Sequence, residues 1–431
     1  MSERIIIEFD DSDGKEPEKK KEEKLIIELD EKNEQDEDIF AELTEKAEVK
    51  EETYQEKLLK QKINSSYRGN QGISNFFESS IKFPEGIENS FRKKFSLELK
   101  DRFYNSVTEN NRYIILASGK GNVYLIDKIS GYITGKMFFE NESFEKTGLV
   151  YNNRIFINSL AGITEISENG LTKKKIYGVP NGYFIWSNLN RAADNLVFLE
   201  YNPVIAKASF KIIDLVTNDI VKEFSFHVKK FLSDKICIAD NKAFVLSDNE
   251  LLVYDFDRMR EEMHALDKYS DLKTDENSFI FYNNYKLFIT SHLNEIYYLD
   301  LPNINYNFKF SGIRNSYINS AGGFDDNIFF GTLDGWKYYR SGGLQVYSFE
   351  DENENRIECL SRNIIVLSQK NKIIFCNLNR FQEAEGYVIS ASEAGEAAEI
   401  ITAFISEKEI FVLTKNGILE AYTNDKLNIH I

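Results

Sequence analysis

One strand-turn-strand pattern recurs eight times in this 431-residue chain, between residue 111 and residue 425. Each copy has a polar turn, four or five apolar residues, a small or polar pair, a tight turn and a second run with alternating apolar positions. The first copy reads NRYIILASGKGNVYLID, and the eight copies begin at residues 111, 153, 195, 241, 284, 326, 363 and 408. The intervals are therefore 42, 42, 46, 43, 42, 37 and 45 residues, which indicates one structural module per interval.

The interval length identifies the module. A β-strand occupies about 5 or 6 residues, so about 42 residues accommodate four strands and their connections. We therefore predict an all-β fold, an eight-bladed β-propeller over residues 95–431, in which each recurring hairpin forms the two middle strands of a blade. Seven blades are the alternative if the irregular segment 195–240 is not a blade.

The apolar runs and the turns agree with this prediction. Neighbouring blades cover both faces of the middle strands, which favours apolar, β-branched and aromatic residues there. Gly121, Gly335 and Gly417 lie in the tight turns, where hairpins require positive φ angles. In the first blade we expect the outer strands at 103–107 and 132–139.

Ring closure requires a strand from one end of the chain to complete the last blade, because an open end would leave unpaired edge groups. Two segments are candidates for this strand, 95–99 and 427–431, and we favour the first. The stretch EAEGYVISASEAGEAA at 383–398 is predicted to be a long acidic loop between the last two blades.

The net charge of −17 is concentrated at the N-terminus, since residues 1–60 contain 22 acidic and 11 basic side chains. We expect residues 1–62 to form an acidic, mostly disordered arm that cannot bury enough apolar area to fold, and 63–94 to be a linker that packs on the body. Clustered Lys and Arg, which backbone phosphates require, are missing from both parts. Nucleic acid is therefore not expected as a partner.

Two apolar islands in the arm share one octapeptide pattern: a basic residue, three aliphatic residues, Glu, a large apolar residue and two acids. They read RIIIEFDD from Arg4 and KLIIELDE from Lys24. One interpretation is a pair of recognition segments that add an edge strand to a partner's sheet; the other is accidental similarity in a Lys/Glu/Ile-rich tail. The candidate partner-binding residues are Ile5, Ile6, Ile7, Phe9, Leu25, Ile26, Ile27 and Leu29.

Residues 36–63 carry apolar side chains at spacings of three and four, which predicts one or two short amphipathic helices. Such a helix would dock on the propeller, pair with another copy, bind a partner, or only act as a spacer; the sequence leaves these alternatives open.

The cysteines and the N-terminus indicate the compartment. Cys237, Cys359 and Cys376 are an odd number and widely spaced, so no disulfide framework is indicated. The first residues, MSERIIIEFDD, have acids where a signal peptide would have basic residues, and no run of 18 apolar residues occurs. We expect a soluble, cytoplasmic protein without membrane insertion.

Three segments carry a family resemblance. NVYLIDKISG, with Asp127, Ser130 and Gly131, resembles the repeat of pyrroloquinoline-quinone-like propellers, and so does FFGTLDGWKYY. A degenerate match is Ile213 to Asn218. The resemblance implies an eight-bladed ring and, because adjacent cysteines are missing, the non-enzymatic branch of the family; WD-repeat propellers are the runner-up.

The sequence offers little for catalysis. Its four histidines are not spaced as a metal pair, and no HExxH, GxSxG or Walker motif occurs. We predict no catalytic, cofactor-binding or metal-binding residues, no cofactor and no small-molecule ligand. The predicted function is a non-enzymatic protein-protein interaction scaffold, or a structural subunit of a larger assembly, whose partner the sequence does not identify. The alternative is a small-molecule-binding or enzymatic propeller that uses its central channel.

Overall fold

The computed structural model describes residues 91–423, except for 168–171, 267–271, 302–307, 316, 341, 351–353, 362–363, 370–371, 379–385, 391–398 and 407. The acidic arm, its two islands, the predicted helix at 36–63, the linker up to residue 90 and the segment 427–431 lie outside these residues. The described part contains strands but no α-helix. In it, therefore, no helix is long and apolar enough to cross a membrane.

The described strands form eight antiparallel sheets, and each sheet is one blade of the predicted propeller. Strand β1 (Arg92–Glu98) belongs to the last blade. Blade 1 comprises β2 (Phe103–Glu109), β3 (Tyr113–Ser118), β4 (Asn122–Asp127) and β5 (Ile133–Phe138). Blade 2 comprises β6 (Leu149–Tyr151), β7 (Arg154–Ser159), β8 (Gly162–Ile166) and β9 (Lys173–Gly178). Blade 3 comprises β10 (Phe184–Ile185), β11 (Asn190–Ala192), β12 (Asn195–Asn202), β13 (Lys207–Asp214) and β14 (Ile220–His227).

The second half of the ring repeats this order. Blade 4 comprises β15 (Cys237–Ala239), β16 (Lys242–Ser247), β17 (Glu250–Asp255) and β18 (Arg260–Ala265). Blade 5 comprises β19 (Ile280–Asn283), β20 (Lys286–Thr290), β21 (Glu295–Asp300) and β22 (Lys309–Arg314). Blade 6 comprises β23 (Ile318–Phe324), β24 (Asn327–Thr332), β25 (Gly335–Arg340) and β26 (Gln345–Glu350). Blade 7 comprises β27 (Arg356–Leu360), β28 (Ile364–Gln369), β29 (Lys372–Asn377) and β30 (Gly386–Ser390), and blade 8 comprises β31 (Ile400–Ser406), β32 (Glu409–Thr414), β33 (Ile418–Thr423) and β1.

The first strand of each blade is its inner strand. Blades 2 and 3 share a buried apolar cluster, the other inner strands of successive blades lie side by side, and β31 of blade 8 lies beside β2 of blade 1, so the ring is closed. Blade 8 obtains its outer strand from β1, which pairs with β33 from Arg92↔Thr423 to Glu98↔Ile418. This confirms the prediction that the segment before blade 1 closes the ring.

The middle strands form the core. All six residues of β3 are buried, whereas the outer strand β14 alternates between exposed and half-buried residues. Apolar side chains of one blade pack against those of the next, as where Ile115 and Leu125 of blade 1 share a cluster with Val150 and Ile157 of blade 2. Each such fully buried aliphatic side chain contributes about 1.5–3 kcal/mol to folding.

The predicted turns have the expected backbone. Gly121 and Gly417 have φ of 85° and 88°, in the left-handed region that favours glycine. At Gly121 a Cβ atom would lie 2.2 Å from the carbonyl oxygen of Phe139, so a side chain is excluded for a second reason.

The irregular segment 195–240 supplies β12, β13 and β14 of blade 3 and β15 of blade 4, so the ring has eight blades and not seven. Its irregularity has a structural cause: the inner strand of blade 3 is broken. Both β10 and β11 pair with β12, through Phe184↔Tyr201 and Asn190↔Val197, and residues 186–189 leave the sheet between them.

One expectation was wrong in part. The segment 383–398 was predicted to be a loop, but β30 (Gly386–Ser390) lies within it and pairs with β29, from Lys372↔Ser390 to Cys376↔Gly386. The acidic residues on both sides conceal a short segment, GYVIS, with aromatic and β-branched residues typical of a strand. In blade 1, β2 and β5 overlap the segments 103–107 and 132–139, where the two strands on either side of the hairpin were expected.

Candidate interaction site at the channel mouth

A cavity of about 500 Å³ lies where the chain enters the inner strands of blades 4, 5 and 6, and we call it the channel mouth. It is lined by the connections that precede β15, β19 and β23, and by residues of blade 3. Inner strands surround the central channel of a propeller, and this cavity lies on the face of the ring where those of blades 4, 5 and 6 begin. Its aromatic lining residues are Trp186, Tyr201, Phe231, Phe279 and Tyr317.

The broken inner strand of blade 3 positions Trp186. Its backbone N–H donates to the carbonyl oxygen of Leu199 at 2.8 Å, and its indole Nε1 donates to the carbonyl oxygen of Leu232 at 3.0 Å. Ser187 extends the anchor, because its Oγ accepts the N–H of Leu199 at 2.9 Å. The indole is therefore fixed at both ends while its ring borders the cavity.

Asp248 positions the connection between blades 3 and 4. Its carboxylate accepts the backbone N–H groups of Lys229, Lys230 and Phe231 at 2.8, 2.6 and 3.0 Å. Asp248 lies in the tight turn between β16 and β17 with a φ of 54°, a conformation that Asp tolerates better than most residues. This cap directs Phe231 toward the cavity and leaves the side chains of Lys229 and Lys230 exposed.

An ion pair bridges the mouth from the side of blade 2. Lys146 Nζ lies 2.7 Å from Asp234 Oδ2 and 5.6 Å from the centroid of the Trp186 ring. On the other side of Asp234, Lys235 Nζ lies 5.3 Å from the centroid of the Phe279 ring. Burial alone would raise the pKa of Asp234, but Lys146 and Lys235 outweigh it, so the pKa lies below its usual value and the carboxylate is charged at neutral pH.

The lining carries both signs of charge beside its aromatic rings. Lys230, Lys235, Asp234 and Glu276 line the cavity, and Lys146 approaches Asp234 from outside it. Tyr and Trp are enriched in binding hot spots, and a few polar or charged groups in a concave site fix the orientation of what binds there. This arrangement can hold one or two side chains of a protein partner and fix their orientation through charge.

The described histidines, His227, His264 and His292, do not line this cavity. His264 lies on β18, where burial lowers its pKa although Glu262 Oε2 lies 3.2 Å away. In the part of the chain that the structure describes, no group of three or more His, Cys, Asp or Glu side chains is arranged to hold a metal ion. The acidic pair Asp325 and Asp326 lies in the turn between β23 and β24.

The sequence-predicted partner-binding residues, Ile5, Ile6, Ile7, Phe9, Leu25, Ile26, Ile27 and Leu29, lie outside the described residues. The residues of the channel mouth were not among the sequence predictions. They lie in connections without periodicity, and the only local signal is an aromatic-rich stretch, GYFIW, directly before the third repeat.

No protein-family model matches this chain, and no curated protein matches it. Among solved structures it is similar to the computationally designed Ika8 protein, with 12% identity over 77% of this chain and 99% of that chain and a TM-score of 0.60. It is also similar to Sqt1 from Saccharomyces cerevisiae, with 9% identity over 77% and 98% of the two chains and a TM-score of 0.59. BamB from Moraxella catarrhalis aligns with 8% identity over 78% and 100%, with a TM-score of 0.39. At these identities the likeness concerns the fold alone.

Proposed function

We propose that this chain is a non-enzymatic protein-interaction scaffold, or a structural subunit of a larger assembly, whose propeller is the platform and whose acidic arm, residues 1–62, is a partner tether. The channel mouth carries this proposal. It gathers five aromatic side chains and four charged ones in a cavity of about 500 Å³, built by connections from several blades. Aromatic anchors in desolvated pockets contribute most of the binding energy of protein interfaces.

The composition of the mouth supports a role in binding and not in catalysis. General acid-base and nucleophilic catalysis most often use His or Cys within hydrogen-bond reach of a partner group. Neither residue type lines the mouth, and of its two carboxylates, Asp234 and Glu276, the first is already paired with Lys146.

We also propose that the repeats are of the pyrroloquinoline-quinone-like type, in its non-enzymatic branch. The turn that carries the resemblance is built alike in blades 1 and 3. Asp127 Oδ1 accepts the N–H groups of Ile129 and Ser130 at 3.1 and 2.9 Å. Asp214 Oδ1 accepts those of Val216 and Thr217 at 2.6 and 2.8 Å.

A cytoplasmic, reducing location is proposed as well. Cys237, Cys359 and Cys376 are not in disulfide bonds, and the first two are fully buried. Buried cysteines outside disulfide bonds are suited to a compartment where disulfides do not form.

A quantitative pull-down from cell extract tests the proposed function, with the full-length protein as bait and mass spectrometry as the readout. Tyr317→Ala removes a ring from the mouth, and Tyr132→Ala removes an exposed ring from the outside of blade 1 as the matched control. We expect Tyr317→Ala and deletion of residues 1–62 each to lower recovery of the same proteins at least about tenfold, since a hot-spot side chain contributes about 2 kcal/mol or more. Equal recovery with all baits would contradict the proposal.

A small-molecule role for the mouth is the alternative, because about 500 Å³ is within the range of ligand pockets. A thermal-shift screen against metabolites separates the two. A ligand at about 100 times its Kd would stabilise the folded state by about 2.7 kcal/mol, and loss of that shift in Tyr317→Ala would favour the alternative.

A further inference from the structure

Trp186 and Tyr201, which line the channel mouth, form an edge-to-face cluster with Phe184, and we call these three side chains the aromatic triad. Their ring centroids are 5.8 Å apart for Phe184 and Trp186, 6.1 Å for Phe184 and Tyr201, and 5.6 Å for Trp186 and Tyr201. The pairing Phe184↔Tyr201 between β10 and β12 holds two of the rings, and the two hydrogen bonds of Trp186 hold the third. The triad is therefore pre-organised.

An ammonium group already occupies the side of the triad that faces Asp234. Lys146 Nζ lies over the Trp186 ring and contacts the Asp234 carboxylate, across 88 residues of sequence. Aromatic faces carry partial negative charge and attract cations, and the carboxylate adds a full negative charge. The chain itself thus shows that this corner of the mouth accepts a primary ammonium.

The Lys146–Asp234 pair is easily opened. The side chains of Lys146 and Asp234 remain 23% and 38% exposed, so the pair is only partly desolvated and lies close to a surface ion pair, which contributes only about 0–1 kcal/mol to stability. Lys146 also belongs to the connection between blades 1 and 2, so its withdrawal breaks no strand pairing. A competing cation can replace it at low cost.

We propose that the aromatic triad and Asp234 form a subsite for a lysine ammonium of a protein partner, and that Lys146 is the resident cation that the partner's lysine displaces. This inference rests on the proposed function, since it states the partner chemistry of the same site. A partner carboxylate is disfavoured here because it would face the ring faces and Asp234. The other lysines that line the mouth, Lys230 and Lys235, orient the remainder of the partner.

The test is a fluorescence titration of the full-length protein with acetyl-lysine-methylamide, whose side chain is a free primary ammonium. The chain has only two tryptophans, and Trp336 is 3% exposed on β25, away from the mouth. A cation over the indole ring therefore reports mainly through Trp186. Acetyl-norleucine-methylamide and acetyl-glutamate-methylamide serve as the neutral and anionic probes.

The decisive variant is Lys146→Met, which empties the subsite and keeps an unbranched side chain. We expect it to bind the lysine probe roughly five- to tenfold more tightly than wild type, because the internal competitor, a cation–π contact and an exposed ion pair, is gone. Adding Asp234→Asn in the Lys146→Met background should abolish this gain. Lys173→Met is the matched control, since Lys173 Nζ lies 4.5 Å from the Phe139 ring without a carboxylate partner.

The proposal is overturned if Lys146→Met gives no gain, if the norleucine or glutamate probe responds as strongly as the lysine probe, or if Lys173→Met gives the same gain. Lys146→Gln, a polar substitution, repeats the measurement should Lys146→Met not fold. Failure of the proposed function looks different: partner recovery would then be insensitive to Tyr317→Ala. If recovery depends on Tyr317 while Asp234→Asn does not affect it, the mouth is a protein-binding site and only the lysine subsite is wrong.

Discussion

Replacing Lys211 with methionine should destabilise the propeller strongly and in a pH-dependent way. Lys211 on β13 and Glu200 on β12 are buried, with 4% and 1% of their side chains exposed, and Lys211 Nζ lies 3.6 Å from Glu200 Oε2. Lys211 also pairs with Glu223 at 2.7 Å, but 47% of that side chain is exposed. Without Lys211, the buried carboxylate of Glu200 loses its cation while Glu223 remains in contact with water.

The expected magnitude is about 3–5 kcal/mol, the cost of leaving one charge of a buried pair without its partner. For a folded body of roughly 330 residues with about 2.1 cal/mol/K of unfolding entropy per residue, this corresponds to a decrease in Tm of about 4–7 °C. The exposed pair Lys222–Glu261 is the matched control, because its side chains are 33% and 42% exposed. Lys222→Met should cost less than about 1 kcal/mol.

The pH dependence follows from Glu200. Burial raises its pKa, and the hydrogen bond from Tyr177 and the charge of Lys211 offset this only in part, so the net shift is upward. A carboxyl group with a raised folded-state pKa binds a proton more readily in the folded protein, so stability falls as pH rises from the unfolded pKa through the folded one. Without Lys211 that pKa rises further, and the loss of stability should be larger at pH 8 than at pH 5.

Thermal unfolding followed by circular dichroism at both pH values measures these effects. The double variant Glu200→Gln/Lys211→Met removes both charges and should recover most of the lost stability. The reasoning would be refuted by a cost below about 1 kcal/mol at pH 8, or by a double variant as unstable as Lys211→Met alone.

Three further predictions concern the turns, the thiols and the mouth. Gly121→Ala should lower the free energy of unfolding, measured by urea denaturation, by more than about 1 kcal/mol, because φ is 85° and the added Cβ would clash with a carbonyl oxygen. Gly342→Ala should not, because the space around its Cβ is open. Burial raises the pKa of Cys376 to about 12 and that of Cys237 further. A disulfide reagent at pH 8 should therefore react with these two thiols only after denaturation. Rapid reaction of both thiols in the folded protein would contradict this. Asp248→Ala removes the acceptor of three backbone N–H groups and should cost about 1–3 kcal/mol and speed amide exchange at residues 229–231; unchanged exchange there would show that the cap is not what orders this connection.

The sequence predicts the ring well because the ring is periodic. Middle strands such as β3 and β32 are buried on both faces, so their apolar runs are continuous and recur at the blade interval. The inner strands are less visible: β6 and β15 have three residues each, too few for any alternation to be recognised. Strand β30 was missed because acidic neighbours dominate the composition around it.

The channel mouth could not be predicted for a different reason. Lys146 and Asp234 are 88 residues apart, and nothing in their local sequences relates them. Only the ring geometry brings the connection after blade 1 near the connection after blade 3. The buried pair of Glu200 and Lys211 is hidden for another reason, since both residues lie on one hairpin and charged residues on paired strands resemble an ordinary exposed alternation in sequence.

The pairing of β1 with β33 also sets an order of events in the cell. Arg92 leaves the ribosome about 330 residues before its partner Thr423, which at about 5–20 residues per second is roughly 15–65 s of synthesis. During this interval seven blades can form in turn from neighbouring segments. Until blade 8 is made, β1 has an unpaired edge, and Phe95 and Leu97 lack the blade 8 side chains against which they pack in the folded ring. The first of the described strands to be made is therefore the last to be placed. A nascent chain stalled before residue 400 would be a seven-bladed open ring with exposed strand edges, which a chaperone would have to protect.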